Sequence, residues 1–193
     1  MSTAHDSFAA PSLYAQLLGE AWAGLPLEIR AMHDWRGRVE ARGTAAVERG
    51  SSVLARLVGK AIGLPAASTA TPVTVRFSVS DGVETWTRMF GPERFSSTQF
   101  AGRGRAANLL CERFAPFTFA MALVVANGRL SLVIRSWRVL GMPLPLWLCP
   151  RAEAHESVAD GLFRFHVEIR HRLTGLIVRY RGSLSSPTEV FES

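Results

Sequence analysis

Lysine is almost missing from this chain: of its 22 Lys and Arg residues only Lys60 is a lysine. The formal charge of +6 and the pI near 10.5 therefore rest on arginine. Arginine suits phosphate, lipid headgroups and acidic proteins alike, so charge alone selects none of them. Cysteine is scarce too. Cys111 and Cys149 stand too far apart for a CxxC metal site and are too few for a disulfide framework, which makes a reducing, cytoplasmic location the expectation. Long apolar runs are lacking: residues 115–126 form the longest, about twelve residues against the roughly 20 of a spanning helix, and Pro116 interrupts it. No transmembrane segment is expected. Residues 1–6 lack a basic start followed by an apolar run, so no signal peptide is expected either.

What is present is an apolar-rich chain of 193 residues, 48% hydrophobic and 20% charged, with mean hydropathy +0.13. That length suits one domain, placed at 12–184 with loose ends at 1–11 and 185–193. The apolar fraction suggests strands covered on both faces, with the small outer residues Ala120, Ala122, Val124 and Val133 admitting a helix.

Three dipeptides organise the chain. Asp81-Gly82, Asn127-Gly128 and Asp160-Gly161 each favour the tight two-residue turn of a β-hairpin, and alternating apolar residues flank them. Tight turns fix the register. Phe77 then faces Trp86, Val75 faces Arg88, Met121 faces Ile134, and Glu156 faces Phe165. Residues 36–49 alternate as a further strand, 95–100 and 176–184 add others, and 109–114 read as a short helix or turn. Residues 66–71 read as a surface linker and 141–150, with three prolines, as a connector.

Ser12 and Pro26 mark two short N-terminal helices, and Ser51 marks a third through Ile62 with Val53, Leu54, Leu57 and Val58 at helical spacing. The expected fold class is α+β: about nine antiparallel strands in an open or half-closed barrel, with the helices packed on it. A two-layer sandwich is the alternative. The absence of alternating strand and helix units disfavours a Rossmann-type fold.

Several segments together carry a family resemblance: Leu13 and Tyr14 with Leu18 and Gly19, His33, 86–90 (WTRMF), 141–145 (GMPLP), 163–167 (FRFHV) and 175–182 (GLIVRYRG). The chain resembles the uncharacterised bacterial family called domain of unknown function 4166 over roughly residues 12–184. The resemblance implies a single domain and no established activity. Some relatives carry this domain behind a nucleotide-binding, dehydrogenase-like domain, which implies a separate dehydrogenase-like partner here. Family members commonly have a proline where this chain reads Arg172 to Gly175, so the turn into the last strand is expected to differ.

Most motif-like patterns favour a plain structural reading. Gly102, Gly104 and Ala107 match G-x-G-x-x-A, but Pro116 cuts short the helix a dinucleotide site needs and Asn127 stands where its acid belongs. No cofactor is expected. His155 opposite His166 and Glu153 opposite Glu168 have the chemistry of zinc ligands, yet the pattern equally suits cross-strand pairs on a solvated face. Arg164, Arg170, Arg179 and Arg181 share that outer face without interleaved aromatics, so no specific nucleic-acid site is expected. His33 and Asp34 are adjacent, and no G-x-S-x-G elbow supplies a nucleophile.

The inner face is more informative. It places Trp86, Arg88, Glu156 and Tyr180 among Phe77 and Phe165, and charges there must be paired or solvated. The expectation is that Arg88 and Glu156 meet, either as a structural pair or in a pocket for a small amphipathic ligand, lipid-like or an acyl-carboxylate, whose head Arg88 holds. Glu156 as a general acid or base, and an accessory role beside a dehydrogenase, are the alternatives.

Overall fold

The computed structural model describes residues 11–190. All three dipeptides are tight turns: Asp81, Gly82, Asn127, Gly128, Asp160 and Gly161 have φ between 51° and 74°, the left-handed geometry that lets a two-residue loop follow the strand twist. They join β2 (Ser68–Ser80) to β3 (Val83–Phe90), β6 (Phe117–Ala126) to β7 (Arg129–Val139), and β9 (Arg151–Ala159) to β10 (Leu162–His171). Phe77 faces Trp86, Met121 faces Ile134 and Glu156 faces Phe165, as the tight-turn register requires.

The remaining barrel strands are β1 (Arg38–Arg49), β4 (Glu93–Ala101), β5 (Leu110–Phe114) and β11 (Gly175–Leu184). Successive strands pair antiparallel around the sheet, and β1 then pairs with β11 from Gly43↔Leu184 to Arg49↔Val178. The barrel is thus closed and has ten strands, where an open or half-closed barrel of about nine, or a sandwich, was expected. Two short strands lie outside the ring: β8 (Met142–Leu144) on the edge of β7, and β12 (Thr188–Glu189) on β1.

Closure has a local cause. Both seam strands carry a glycine at an inward position: a Cβ on Gly43 would overlap the Ser183 carbonyl oxygen, and one on Gly182 would overlap that of Thr44. The Phe165 ring covers Gly182 from inside, replacing the side chain it lacks. Two residues with no side chain let the first and last strands approach closely enough to pair, and pairing removes both sheet edges.

Three other expectations are corrected. Residues 110–114 form β5, because Glu112 and its neighbours complete the ladder between Gln99 on β4 and Phe119 on β6. Strand β2 begins at Ser68, inside the expected linker. Among the described residues no helix covers β6 and β7, and Val124 and Val133 are exposed on the outer wall. The apolar surplus fills the barrel instead. Of the expected loose ends, residues 1–10 and 191–193 lie outside the described residues, while Val39↔Glu189 pairing and the Val190 N–H on the Arg38 carbonyl hold 188–190.

Helices α1 (Leu13–Leu18) and α2 (Leu27–His33), joined by a 3-10 segment, plug the barrel end where β1 starts. Tyr14, Ile29, Met32 and His33 are almost wholly buried there. Helix α3 (Val53–Ala61) connects β1 to β2 at the other end. Its cap is Ser52, one residue later than expected, whose Oγ accepts from the Ala55 N–H at 3.1 Å.

The seam can be tested by Gly182→Ala. Overpacking against backbone should cost about 1–3 kcal/mol in urea unfolding. Gly24→Ala, with open space around it, should stay within about 0.5 kcal/mol. Equal stability of the two variants would refute the close-approach account.

Candidate functional site

Side chains fill a small barrel of about eight strands, and a ten-stranded ring is wider than its own inward residues can pack. A cavity of about 460 Å³ remains inside. Trp86, Arg88, Glu156, Phe165 and Tyr180 all border it, so the structure brings together five of the six residues singled out from the sequence. Phe77 sits behind the wall, its ring edge-on to Trp86 at 4.6 Å and 5.3 Å from Trp35.

Arg88 and Glu156 share this interior but are partnered separately, which corrects the expected pair. The Arg88 Nη1 donates to Ser97 Oγ at 2.8 Å and Nη2 to Glu112 Oε1 at 3.1 Å. The same carboxylate oxygen accepts from Ser97 Oγ (2.7 Å) and Gln99 Nε2 (3.1 Å), and Gln99 Oε1 accepts from the Tyr14 hydroxyl (3.0 Å). Aromatic faces surround the guanidinium: Trp86 at 5.0 Å, Phe95 at 5.7 Å and Phe114 at 5.8 Å. A weakly hydrated guanidinium gains from such faces once it is out of water. Its partner Glu112 was missed because 109–114 read as a helix or turn; alternation of Leu110, Glu112 and Phe114 on one side of a strand was the available signal.

Glu156 meets His33, with Nε2 and Oε2 2.7 Å apart. The imidazole stacks on Tyr14 (3.7 Å between ring centres) and lies 5.6 Å from Trp86. Helix α2 delivers it from 123 residues away in sequence, which is why no local pattern disclosed the contact. Glu84, also buried, accepts from Trp86 Nε1 at 3.0 Å. Burial raises the Glu84 carboxyl above its usual range, opposed by the Trp86 hydrogen bond and by His33 and Arg36.

Both tyrosines are affected more. Burial, then the charges of Glu156, Glu84 and Glu112, push the Tyr14 hydroxyl well above its ordinary value against the pull of Arg88. Tyr180 is pushed up to about 12, chiefly by burial. Part of its surface is open, but that part borders the cavity.

The outer wall is different in kind. Arg179 donates to Glu168 and to Glu48, each at 2.5 Å, and Glu168 also takes Arg170, so three strands are tied across the seam. Arg164 reaches Asp160 at 3.2 Å. The expected basic strip is therefore largely a set of ion pairs. Glu40 likewise sits between Arg76 and Arg42, and those hydrogen bonds hold its carboxyl below the usual range. The rings of His155 and His166 stack 4.8 Å apart. Among the described residues no group of three or more His, Cys, Asp or Glu side chains is arranged to hold a metal. Gly104 opens only a single 3-10 turn, Gly104–Ala106, and β5 follows, so the G-x-G-x-x-A match has no helix behind it.

Two outcomes are expected. Arg88→Met strands Glu112 in the wall and should cost about 3–5 kcal/mol, with Arg88→Met/Glu112→Leu recovering most of the loss and Arg88→Met/Glu156→Leu recovering little. Urea unfolding of the three variants decides which carboxylate is the partner. Second, Tyr14 and Tyr180 are the chain's only tyrosines, so tyrosinate absorbance reports this interior alone. Both folded values lie above the unfolded value of about 10, so their contribution to stability is complete below pH ~10 and is lost as pH rises from there through the folded values. Tyrosinate should appear only together with unfolding; titration near pH ~10 with the fold intact would contradict the burial of both.

No helix among the described residues is long and apolar enough to cross a membrane. None of the curated proteins compared with the chain matches it. A family model described as "Domain of unknown function (DUF4166)" matches residues 25–184, which takes in α2, the whole ten-stranded ring and the interior network apart from Tyr14. The chain belongs to the DUF4166 family.

Proposed function

We propose that the barrel binds a small amphipathic ligand, lipid-like or an acyl-carboxylate, with its tail among the aromatic and aliphatic wall residues and its head at Arg88. The observation that carries this is a cavity of about 460 Å³ with Arg88 in its wall, faced by Trp86, Phe95 and Phe114. Its size falls within the roughly 300–1,000 Å³ of small-molecule sites. Ser97 and Glu112 use two of the five guanidinium N–H groups, which leaves donors for a ligand oxygen. The neighbouring Glu112 favours a head with a polar as well as an anionic part, since a second bare carboxylate there meets like charge.

A second reading, Glu156 as a general acid or base, has one observation in its favour. His33 engages Oε2 of a carboxylate that still borders the cavity, so the carboxylate beside the space a ligand would fill is backed by a buried imidazole.

The two readings separate on one set of measurements. Fatty acids of graded chain length and their neutral alcohols are added to the purified protein and melting is followed. A ligand at a hundred times its Kd should stabilise by about 2.7 kcal/mol. Arg88→Met/Glu112→Leu should stay folded and lose the shift given by the acids. No shift with any acid or alcohol would reject the binding reading. Mass spectrometry of the recovered ligand then decides the second: unaltered ligand means binding alone, and conversion that stops in Glu156→Gln means catalysis.

A further inference from the structure

Helix α3 faces the wrong way for a helix that only covers a core. Its apolar residues Val53, Leu54 and Leu57 are 65%, 46% and 61% exposed, while the small residues Ala55 and Gly59 are turned to the barrel. The sequence pattern had implied the opposite packing. This exposure does not come from a loose helix. Ser52 caps its first turn and donates to the Thr174 carbonyl at 2.9 Å, and Arg49 donates to the carbonyls of Leu64 and Pro65 at 3.0 and 3.1 Å, so both ends are tied to the barrel.

Other apolar residues stand exposed at the same end, which the alternating course of the strands defines. Leu173, on the β10–β11 turn next to the Ser52 anchor, is 79% exposed. The connector from β7 to β9 adds Leu140, Met142 and Trp147. Leu140 has φ 51°, a conformation uncommon for a residue other than glycine, asparagine or aspartate, and it holds the side chain at an outward tip.

Basic residues outnumber acidic ones at this rim, where Glu93 stands beside Arg94 at the start of β4. Arg56, Lys60, Arg94 and Arg172 are exposed there, and none of them pairs with a carboxylate among the described residues. No Asp or Glu occurs between Glu48 and Asp81, or between Glu168 and Glu189. On the outer wall Arg42, Arg76, Arg170 and Arg179 are matched by Glu40, Glu48 and Glu168, whereas the four basic residues of the rim have no such partner among the described residues. The same helix reaches the interior, since Val58 and the following Ile62 and Leu64 border the cavity.

We infer that this end of the barrel docks on the surface of an anionic lipid bilayer, with the α3 apolar face entering the headgroup boundary and the basic residues meeting lipid phosphates. Apolar residues beside Lys and Arg on one helix are the pattern of interfacial helices, and anionic headgroups supply the charge the rim lacks. A second copy of the chain is a poor occupant. Symmetric contact would set Arg56, Lys60 and Arg172 against like charges of the second copy. Docking here would put the cavity wall at the lipid surface, so the inference rests on the ligand reading for its purpose while its geometry stands without it.

Co-sedimentation with vesicles of phosphatidylcholine, with and without phosphatidylserine, tests it. The protein should pellet with the anionic vesicles and be released by high salt. Arg56→Glu/Lys60→Glu should lower partitioning by at least roughly fivefold for each basic residue lost. Leu54→Gln/Leu57→Gln should also abolish pelleting, with an unchanged melting curve because both side chains are already exposed. Failure of the wild-type protein to pellet, equal pelleting of the variants, or a solution dimer that Leu54→Gln/Leu57→Gln dissociates would each overturn the docking. Fatty-acid shifts measured on the same samples separate the two proposals. Retained shifts without vesicle binding reject docking alone, and vesicle binding without shifts upholds docking and rejects the ligand reading.

Discussion

The pairing of β1 with β11 is the constraint on which the rest depends. One antiparallel ladder, made possible by Gly43 and Gly182, converts a meander with two open edges into a ring. Once the ring closes, every inward residue of ten strands shares one enclosed volume. Side chains such as Arg88, Glu112 and Glu156, which an open sheet would leave beside water, must then find partners in each other or in the plug helices.

Those partners form two groups with different roles. Arg88, Ser97, Gln99 and Glu112 lie on adjacent strands β3 to β5, so the ladder itself holds them, and the Tyr14 hydroxyl ties them to α1. His33 and Glu156 instead join a helix to a strand across the interior. The first group is a feature of the wall, whereas the second is part of how the plug is seated. The stack of Tyr14 on His33 links the two, and a change in either carboxylate will be felt at both.

The two ends of the barrel have diverged. At one end α1 and α2 bury Tyr14, Ile29, Met32 and His33 in the mouth of the barrel. At the other α3 turns Ala55, Val58 and Gly59 inward, leaving a leucine-bearing face outside together with Arg56 and Lys60, which pair with no carboxylate among the described residues. A plugged end and an apolar, basic rim around one cavity give the molecule a direction. On the outer wall Glu40, Glu48 and Glu168 hold Arg42, Arg76, Arg170 and Arg179 in ion pairs.

Short-range chemistry in the sequence determined the hairpins. An Asp-Gly or Asn-Gly pair dictates its own turn, the turn dictates the register, and the register puts Trp86, Arg88 and Val75 on one face of one hairpin and Glu156 opposite Phe165 in another, while simple alternation places Tyr180 in its strand. Only the tertiary structure decided what those faces became. Pairing of β1 with β11 joins residues 129 to 141 positions apart, from Arg49 with Val178 to Gly43 with Leu184, and no local preference encodes it. The partner of Arg88 depended on Glu112 lying in a strand, which five residues with mixed propensity do not announce. The partner of Glu156 came with α2, and α3 shows the same limit: its 3.6-residue periodicity reveals that one face is apolar, but which face meets the barrel was settled by Ala55 and Gly59 fitting closer than the leucines can.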